Sequence, residues 1–320
     1  MTVYPDSPSA RDRWILEHRP ARTPVNPSQP HAFVIEQERA ASGELVPIAT
    51  VFLTNRECPW RCLMCDLWKH TLTESVPPGA IPTQIDYALS QLGTTAGAPR
   101  QIKLYNSGSF FDPRAIPSED YPGIAERVGT FERVIVECHP ALVNERILKF
   151  RDRLGTQLEI AMGLETVHPE ILPRLNKRMT TEQFAQASRF LRDHEIALRV
   201  FVLVKPPFLE ESEACRWAGR SVDFAFDCGA TVVSLIPTRL GNGALEALLA
   251  ANEFSPPRLE TFEAAVEYGI GLGRGRVFGD LWDLQLFSTC QACLPERRER
   301  LVRMNHQQVV EQRVSCPRCG

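Results

Sequence analysis

Short runs of β-branched and aliphatic residues alternate with amphipathic segments along most of this 320-residue sequence. The runs cover residues 48–54, 101–106, 133–138, 157–163, 198–204 and 230–236. Nearly continuous apolar runs are typical of strands that are buried on both faces, and the segments between them show the period of helices. The alternation therefore predicts an α/β protein whose parallel sheet is covered by helices.

The number of strand–helix units limits the architecture. Six units fall short of the eight that close a full TIM barrel. We expect a partial (β/α)6 TIM-type barrel over residues 46–280, although a doubly wound sheet shares this pattern. Residues 1–45 are rich in proline and charge, which predicts an N-terminal arm or cap. Residues 281–320 predict a small C-terminal four-cysteine metal-binding appendage.

Charge and composition argue against several classes of protein. The formal net charge of −3 does not indicate bulk affinity for nucleic acid. The sequence shows no signal peptide and no apolar run of about 18 residues, so we expect a cytoplasmic protein with no membrane partner. Thiols stay reduced in that compartment, and ten cysteines therefore indicate metal binding or catalysis more than disulfides.

Three cysteines follow the first run, in the segment RECPWRCLMCDLWKH at residues 56–70. Cys58, Cys62 and Cys65 form a C-x3-C-x2-C pattern at the expected C-terminal edge of the sheet, where parallel α/β proteins carry their chemistry. A 4Fe–4S cluster normally takes four thiolates, so three would leave one iron open to another ligand. The alternatives are a zinc loop with a distant fourth ligand, or three buried thiols.

This motif, after the first strand of a partial barrel, resembles the signature of the radical S-adenosylmethionine (SAM) superfamily. The resemblance covers about residues 45–245. It implies a 4Fe–4S cluster whose open iron binds SAM, and reductive cleavage of SAM to methionine and a 5′-deoxyadenosyl radical. Met64 stands where members of the superfamily usually have an aromatic residue, and its polarizable side chain can still pack on adenine.

The resemblance also assigns SAM contacts to the ends of later strands. The backbone around Ser107, Gly108 and Ser109 would bind the amino group of SAM, because glycine allows close approach of a ligand. The alternative for this segment is an ordinary glycine turn. Leu235 and Ile236 would flank the adenine ring.

Four charged residues complete the candidate site. Glu137 and Glu165 end neighbouring strands, where they would accept hydrogen bonds from the ribose or amino group of SAM; Glu165 is also a candidate catalytic residue. As an alternative, both are ordinary surface glutamates. Arg199 lies early in an apolar run, so we expect it to pair with a carboxylate, either of the protein or of SAM. Lys205 ends its strand and is a candidate catalytic residue that faces substrate.

A second set of cysteines lies near the C-terminus. Cys290, Cys293, Cys316 and Cys319 form a C-x2-C-x22-C-x2-C pattern, and two such pairs close a tetrahedral four-thiolate zinc site. A four-thiolate iron–sulfur cluster and unligated thiols are the alternatives.

The helical segment between these two pairs is basic. Its arginines either contact phosphates or form a solvated face that alternates with Glu296 and Glu299. The arginines in question are Arg297, Arg298, Arg300 and Arg303.

Three further strings narrow the resemblance. NSGSFFD, GLET followed by LNK, and VLVKPPF are similar to the radical-SAM subunits of archaeosine synthases, in the branch that includes the catalytic subunit of Elongator. This implies a lyase-type enzyme that cleaves a C–N bond of a lysine-modified 7-deazaguanine in tRNA and leaves a formamidine, the archaeosine base. The implied partners are modified tRNA, a one-electron donor protein and the subunit that installs lysine.

Two other functions remain open at this stage. One is a radical SAM enzyme that acts on a small molecule or peptide. The other is a non-enzymatic adaptor that binds metal or nucleic acid.

Overall fold

The computed structural model describes residues 2–92 and 98–319. One eight-stranded sheet runs in chain order and curls into a half-barrel, which confirms the expected partial TIM-type barrel. The strands are β1 (Ala32–Arg39), β2 (Leu45–Phe52), β3 (Gln101–Tyr105), β4 (Arg133–Glu137), β5 (Gln157–Glu165), β6 (Ala197–Val204), β7 (Val232–Pro237) and β8 (Arg276–Gly279). Strands β2 to β8 are parallel, and β1 is antiparallel to β2.

Helices cover the outer face of this sheet and its C-terminal edge. They are α1 (Pro8–His18), α2 (Ala80–Leu92), α3 (Tyr121–Val128), α4 (Glu145–Leu154), α5 (Ile171–Arg174), α6 (Thr181–Asp193), α7 (Glu211–Asp227), α8 (Ala244–Ala250), α9 (Leu259–Gly271) and α10 (Leu294–Gln307). Short 3-10 turns span Leu67–His70, Ser118–Asp120, Pro140–Leu142 and Leu284–Leu286. Helix α6 begins with a capping box between Thr180 and Gln183, as their spacing predicts.

Two strands lie outside the six runs that the sequence shows. Strand β1 falls within residues 1–45, where the sequence predicts an arm, and it adds an antiparallel edge to the sheet. Its charged residues Glu36 and Glu38 face the barrel interior, so β1 lacks the apolar run of a buried strand. Strand β8 has only four residues, too few for a recognisable pattern.

Ion pairs fill the lower half of the barrel interior, near the N-terminal ends of the strands. The buried guanidinium of Arg199 lies 2.6 Å from Glu38 and 2.7 Å from Glu159. Lys103 also pairs with Glu38, at 2.8 Å, and Arg133 pairs with Glu159, at 3.1 Å. Burial of these charges is tolerated because each has an opposite partner. The upper half, at the C-terminal edge, is left for the candidate site.

Helix α10 lies along the free edge of β8. The Asn305 amide accepts from the Gly279 N–H and donates to its carbonyl, both at 2.9 Å. The Gln308 amide does the same for Val277, at 2.6 and 2.9 Å. Two side-chain amides therefore satisfy backbone groups of β8 that a further strand would otherwise pair.

Within residues 2–92 and 98–319, no helix has both the length and the apolarity that crossing a membrane requires.

Candidate metal centres

The loop after β2 carries Cys58, Cys62 and Cys65, and all three side chains are half-buried. Burial raises the pKa of each thiol to about 12, and each also feels the charge of another thiol of the set. The thiolate is the form that binds metal, and metal binding displaces its proton. The loop therefore gathers three ligands that a bound metal cluster would ionise.

Arginines from the N-terminal segment fix this loop. Glu57 precedes the first cysteine and pairs with Arg19 at 2.7 Å, with Arg61 at 3.0 Å and also with Arg22. Arg61 donates to the Cys58 carbonyl at 2.6 Å. Because several donors meet one half-buried carboxylate, the backbone on both sides of Cys58 is held in place.

Segments after β5 and β7 hold the other side of the loop. The Asn176 amide donates to the Arg61 carbonyl at 2.7 Å, and the Leu63 N–H donates to the Leu175 carbonyl at 2.9 Å. The Asn242 amide donates to the Leu63 carbonyl at 2.7 Å. The cysteine loop is thus anchored to the ends of several strands.

The loop after β3 lies against the first cysteine. A β-carbon built on Gly108 would come within 3.2 Å of the Cys58 β-carbon. The Glu137 carboxylate accepts from the N–H groups of Asn106 at 2.8 Å and Ser107 at 3.1 Å, and burial raises its pKa to about 7. Ser109 accepts from a backbone N–H two residues after Glu137. The structure brings this loop to the cysteines, and its binding of SAM stays a prediction.

Glu165 forms an ion pair that the sequence did not indicate. Its carboxylate lies 2.5 Å from the Lys177 ammonium, and a side chain at Gly163 would clash with both. Burial acts to lower the pKa of Lys177. The Glu165 carboxylate and the Cys62 thiol act to raise this pKa, and the net result is a raised pKa. A buried cation therefore lies beside the cysteine loop.

Lys177 was missed because nothing in its own residue type distinguishes it. The string LNK contains it, but only the fold brings it to the cysteines. The backbone around Lys177 does mark it in the structure: its neighbours Asn176 and Arg178 both have positive φ, at 57° and 61°. Such strain in residues other than glycine is concentrated at functional sites.

His139 joins this group from the end of β4. Its ring stacks on Trp60 of the cysteine loop, with ring centroids 3.7 Å apart, and its Nε2 lies 3.0 Å from the Lys177 carbonyl. Burial, followed by the Lys177 charge, lowers the pKa of His139 to about 3. The imidazole is therefore neutral near pH 7 and supports the cysteine loop by stacking.

The structure corrects the expectation that Arg199 binds SAM. Arg199 lies five residues before the end of β6, about 16 Å along the strand from the C-terminal edge. Its donors are engaged by Glu38 and Glu159. The expected carboxylate partner exists, and it belongs to the protein.

Lys205 does not fit the catalytic role expected for it. Its ammonium donates to the Ser255 carbonyl at 2.9 Å and to the Ser255 hydroxyl, and it lies 3.1 Å from Glu211. An ammonium has three donors, and these three acceptors engage them. Lys205 therefore fastens the segment after α8 to the end of β6.

The two residues expected to flank adenine belong to different apolar clusters. Ile236 is half-buried and packs against the same apolar cluster as Met64 of the cysteine loop. Leu235 is fully buried in the main core, with Phe262 and Val266 of α9. Only Ile236 is therefore near the cysteine loop, and its contact with adenine stays a prediction.

The C-terminal cysteines converge on one point. The four sulfurs of Cys290, Cys293, Cys316 and Cys319 all lie within 4.8 Å of one another. The Cys290–Cys316 and Cys293–Cys319 sulfur distances are 4.0 and 3.7 Å. Bonds of about 2.3 Å to one tetrahedral zinc would place the sulfurs about 3.8 Å apart. The donor set therefore fits a single metal ion.

Of the four arginines for which the sequence leaves phosphate contact or a solvated face open, three form ion pairs within the protein. Arg297 is buried against Glu263 of α9, at 2.7 Å, and Arg300 is buried against Glu267, at 2.7 Å. Arg303 pairs with Glu311, at 2.9 Å. These arginines attach α10 to its neighbours because their charges are already paired.

Comparison with known proteins gives relatives by sequence and by fold. No protein-family model matches the chain. Archaeosine synthase subunit beta of Methanosarcina acetivorans is 26% identical over 239 residues, which cover 68% of this chain and 65% of that protein. An uncharacterized protein of Methanocaldococcus jannaschii is 27% identical over 222 residues, covering 66% and 61%. The chain thus matches less than two thirds of the length of either relative.

A solved structure supports the assignment of the fold. Elp3 of Methanocaldococcus infernus superposes with a TM-score of 0.53 over 74% of this chain and 60% of that one. The two sequences are 16% identical there, so the likeness shows a shared fold.

Proposed function

We propose that this chain, which is similar in sequence to the beta subunits of archaeosine synthases, is a radical SAM enzyme that modifies tRNA. Its substrate in this proposal is a lysine-modified 7-deazaguanine, and its reaction cleaves a C–N bond of the lysine to give archaeosine or a related base. The observation that carries the proposal is the contact of the three-cysteine loop with the Gly108 loop at the C-terminal edge of the barrel.

Cys58, Cys62 and Cys65 would hold the 4Fe–4S cluster, which when bound supplies the electron for reductive cleavage of SAM. The three thiols suit a cluster because the described part of the chain gathers only the C-terminal cysteines tightly enough for one ion. In a cluster each thiolate binds a different iron, so its ligands lie farther apart.

The surrounding residues suit the binding of a charged cofactor with an apolar ring. Backbone groups of the Gly108 loop, held by Glu137, are available to polar atoms of SAM. The Glu165–Lys177 pair offers both an acceptor and a cation in a buried setting. Met64 and Ile236 provide apolar surface for adenine. Burial of these groups excludes water, which strengthens each polar contact.

The four C-terminal cysteines serve a structural role in this proposal. Sulfur distances of 3.7 and 4.0 Å favour one zinc ion over an iron–sulfur cluster. A closed four-thiolate site has no open position for chemistry, so the metal would fix α10.

The partners follow from the chemistry and from the relatives. A one-electron donor protein must reduce the cluster, and the substrate is modified tRNA. The M. acetivorans relative is named a subunit, which favours assembly with the subunit that installs lysine. We place the protein in the cytoplasm, where thiols stay reduced.

The test is formation of 5′-deoxyadenosine by anaerobically reconstituted protein with a strong reductant. Reactions contain lysine-modified tRNA, unmodified tRNA or no tRNA, and Cys62→Ala is the matched inactive control. Product that rises with the modified tRNA, together with conversion of its base, supports the proposal. Slow product formation that is indifferent to tRNA would favour a small-molecule or peptide substrate. No product despite bound cluster and SAM would favour a non-enzymatic adaptor.

A further inference from the structure

A cleft of about 630 Å³ opens beside the cysteine loop, between segments that follow β5, β6 and β7. The N-terminal segment closes one side of it. Its volume lies within the range of small-molecule sites. The charged and aromatic residues that line it are Arg174, Lys205, Phe208, Glu210 and Glu253.

Two of these charges already have protein partners. All three donors of Lys205 are engaged by Ser255 and Glu211. The Glu253 carboxylate accepts from the Val3 N–H at 2.7 Å. These contacts hold together the walls of the cleft. The donors to Glu253 are neutral, so its carboxylate keeps a negative charge that acts on Arg174.

The remaining cation is Arg174. Its guanidinium carbon lies 3.4 Å from the centroid of the Phe208 ring, and the side chain is half-buried. Among residues 2–92 and 98–319 its nitrogens meet no carboxylate within 4.0 Å and no hydrogen-bond acceptor. Stacking fixes the plane of a guanidinium and leaves its N–H groups directed outward from the edge.

The second anion of the cleft is Glu210, which lies at the start of α7 and is exposed. In the described part of the chain it forms no ion pair, and its carboxylate is more than 4.0 Å from Arg174. Within the described residues, the cleft therefore presents one cation without an ion pair, Arg174, and two anions, Glu210 and Glu253.

The signs of these charges indicate the class of ligand. A phosphate alone would pair with Arg174 but would be repelled by Glu210 and Glu253. A group that carries a carboxylate and an ammonium on one carbon atom would pair with Arg174 and Glu210 together. We propose that this cleft binds the α-amino acid head group of a ligand, with its carboxylate on Arg174 and its ammonium facing Glu210.

The position of the cleft suits a substrate of the candidate site. Phe208 packs against the same apolar clusters as Met64, which directly precedes Cys65. A lysine-bearing base can carry such a head group. The identification of the ligand as lysine rests on the proposed function. The expectation of an α-amino acid head group rests only on the charges of the cleft.

The test compares ligands that each lack one charge. L-lysine, 1,5-diaminopentane without the carboxylate, and 6-aminohexanoic acid without the α-amine are titrated into the full chain, and affinity is measured by calorimetry or ligand-observed NMR. The variants are Arg174→Gln and Glu210→Gln, with Arg189→Gln on the exposed face of α6 as the matched control.

The wild-type chain is expected to bind L-lysine about tenfold more tightly than either analogue. Arg174→Gln should remove the advantage of L-lysine over diaminopentane, because L-lysine loses the partner of its carboxylate and the diamine loses a repelling cation. Glu210→Gln should likewise remove the advantage over aminohexanoic acid. Arg189→Gln should behave as wild type. Glu210 is exposed, so its variant keeps the test valid even where Arg174→Gln unfolds the chain.

Three results would overturn the proposal. These are equal affinity for L-lysine and diaminopentane, an unchanged affinity for L-lysine in both cleft variants, and no binding up to about 10 mM. Displacement of lysine by SAM would assign the cleft to the head group of SAM. The titration needs no reduction of a cluster, so its failure is separate from that of the proposed function. Lysine binding without 5′-deoxyadenosine formation would retain the cleft and reject the enzyme.

Discussion

Gly108 and Cys58 meet with no room for a side chain between them: a β-carbon at position 108 would lie 3.2 Å from that of Cys58. The loops after β2 and β3 therefore touch at the first cysteine. A ligand held by the cysteine loop would lie next to backbone N–H and C=O groups that no side chain covers.

Gly108→Ala is expected to weaken SAM binding by about tenfold while iron content stays near that of wild type. The added methyl group pushes the two loops apart by a few tenths of an ångström, and such overpacking costs about 1–3 kcal/mol. SAM affinity and iron content of reconstituted protein measure the effect. Gly271→Ala is the control, because nothing lies within 4 Å of its β-carbon. Equal SAM affinity in the two variants would contradict this assignment.

Cys62→Ala is expected to abolish SAM cleavage and to leave the C-terminal metal bound. Two thiolates from one short loop do not hold the cluster, whereas the four C-terminal sulfurs form a separate group. Elemental analysis of iron and zinc checks both sites, and Cys215→Ala on α7 controls for loss of an isolated thiol. Loss of both metals together would show that the two cysteine sets are wrongly assigned.

Arg199→Met is expected to lower the free energy of unfolding by about 3–5 kcal/mol, because it leaves Glu38 and Glu159 buried without their shared cation. Denaturant unfolding measures this change. Arg189→Met, at an exposed position on α6, should stay within about 0.5 kcal/mol of wild type. The affinity of the folded variant for SAM should be unchanged. If Arg199→Met lost SAM binding while its free energy of unfolding stayed at the wild-type value, Arg199 would bind SAM after all.

Glu137→Gln is expected to flatten the pH dependence of stability between about pH 4.5 and 7. Burial raises the pKa of Glu137 to about 7 from an ordinary value of 4.5. The folded chain thus binds this proton more tightly than the unfolded chain, and ionisation destabilises the fold as pH rises through that window. The amide keeps an oxygen acceptor for the Asn106 N–H.

The measurement for Glu137 is the difference in unfolding free energy between wild type and variant across that window. Other groups, such as His139, contribute equally to both proteins and cancel. A constant difference would show that Glu137 titrates at its ordinary pKa.

Cys316→Ser is expected to release about one equivalent of zinc and to lower stability, while iron at the first site is retained. Because α10 loses an anchor, the β8 amides of Val277 and Gly279 should lose protection from hydrogen exchange. Cys228→Ser, at the end of α7, is the control for a half-buried thiol. Full protection of β8 in the metal-free variant would show that α10 is held without the metal.

The sequence predicts those parts of the fold that have a strong local pattern. Strands β2 to β7 have apolar runs, and all six were expected. Strand β1 has apolar residues only at 32–35 and continues through Glu36 and Glu38, whose inward-facing charges are tolerated because cations on other strands pair with them. Strand β8 is too short to show a periodic pattern, and it forms by pairing in parallel with β7.

The candidate site likewise contains residues that the sequence predicts and residues that only the fold reveals. Cysteine spacing identifies both metal sets, since the ligands are close in the chain. Lys177 and His139 come to the cysteine loop from separate strand ends, so no local pattern marks them. Burial of Arg199 in an apolar run predicts a carboxylate partner, but only the fold supplies Glu38 from β1 and Glu159 from β5.

The side chains of Asn305 and Gln308 have a consequence for how copies of this protein meet one another. An exposed strand edge is a template for addition of a strand from a second molecule. Here the template is covered by two side-chain amides, one on α10 and one on the residue that follows it, between the two cysteine pairs. We therefore expect metal occupancy at the C-terminal site to control whether the β8 edge is open to a strand of a second copy.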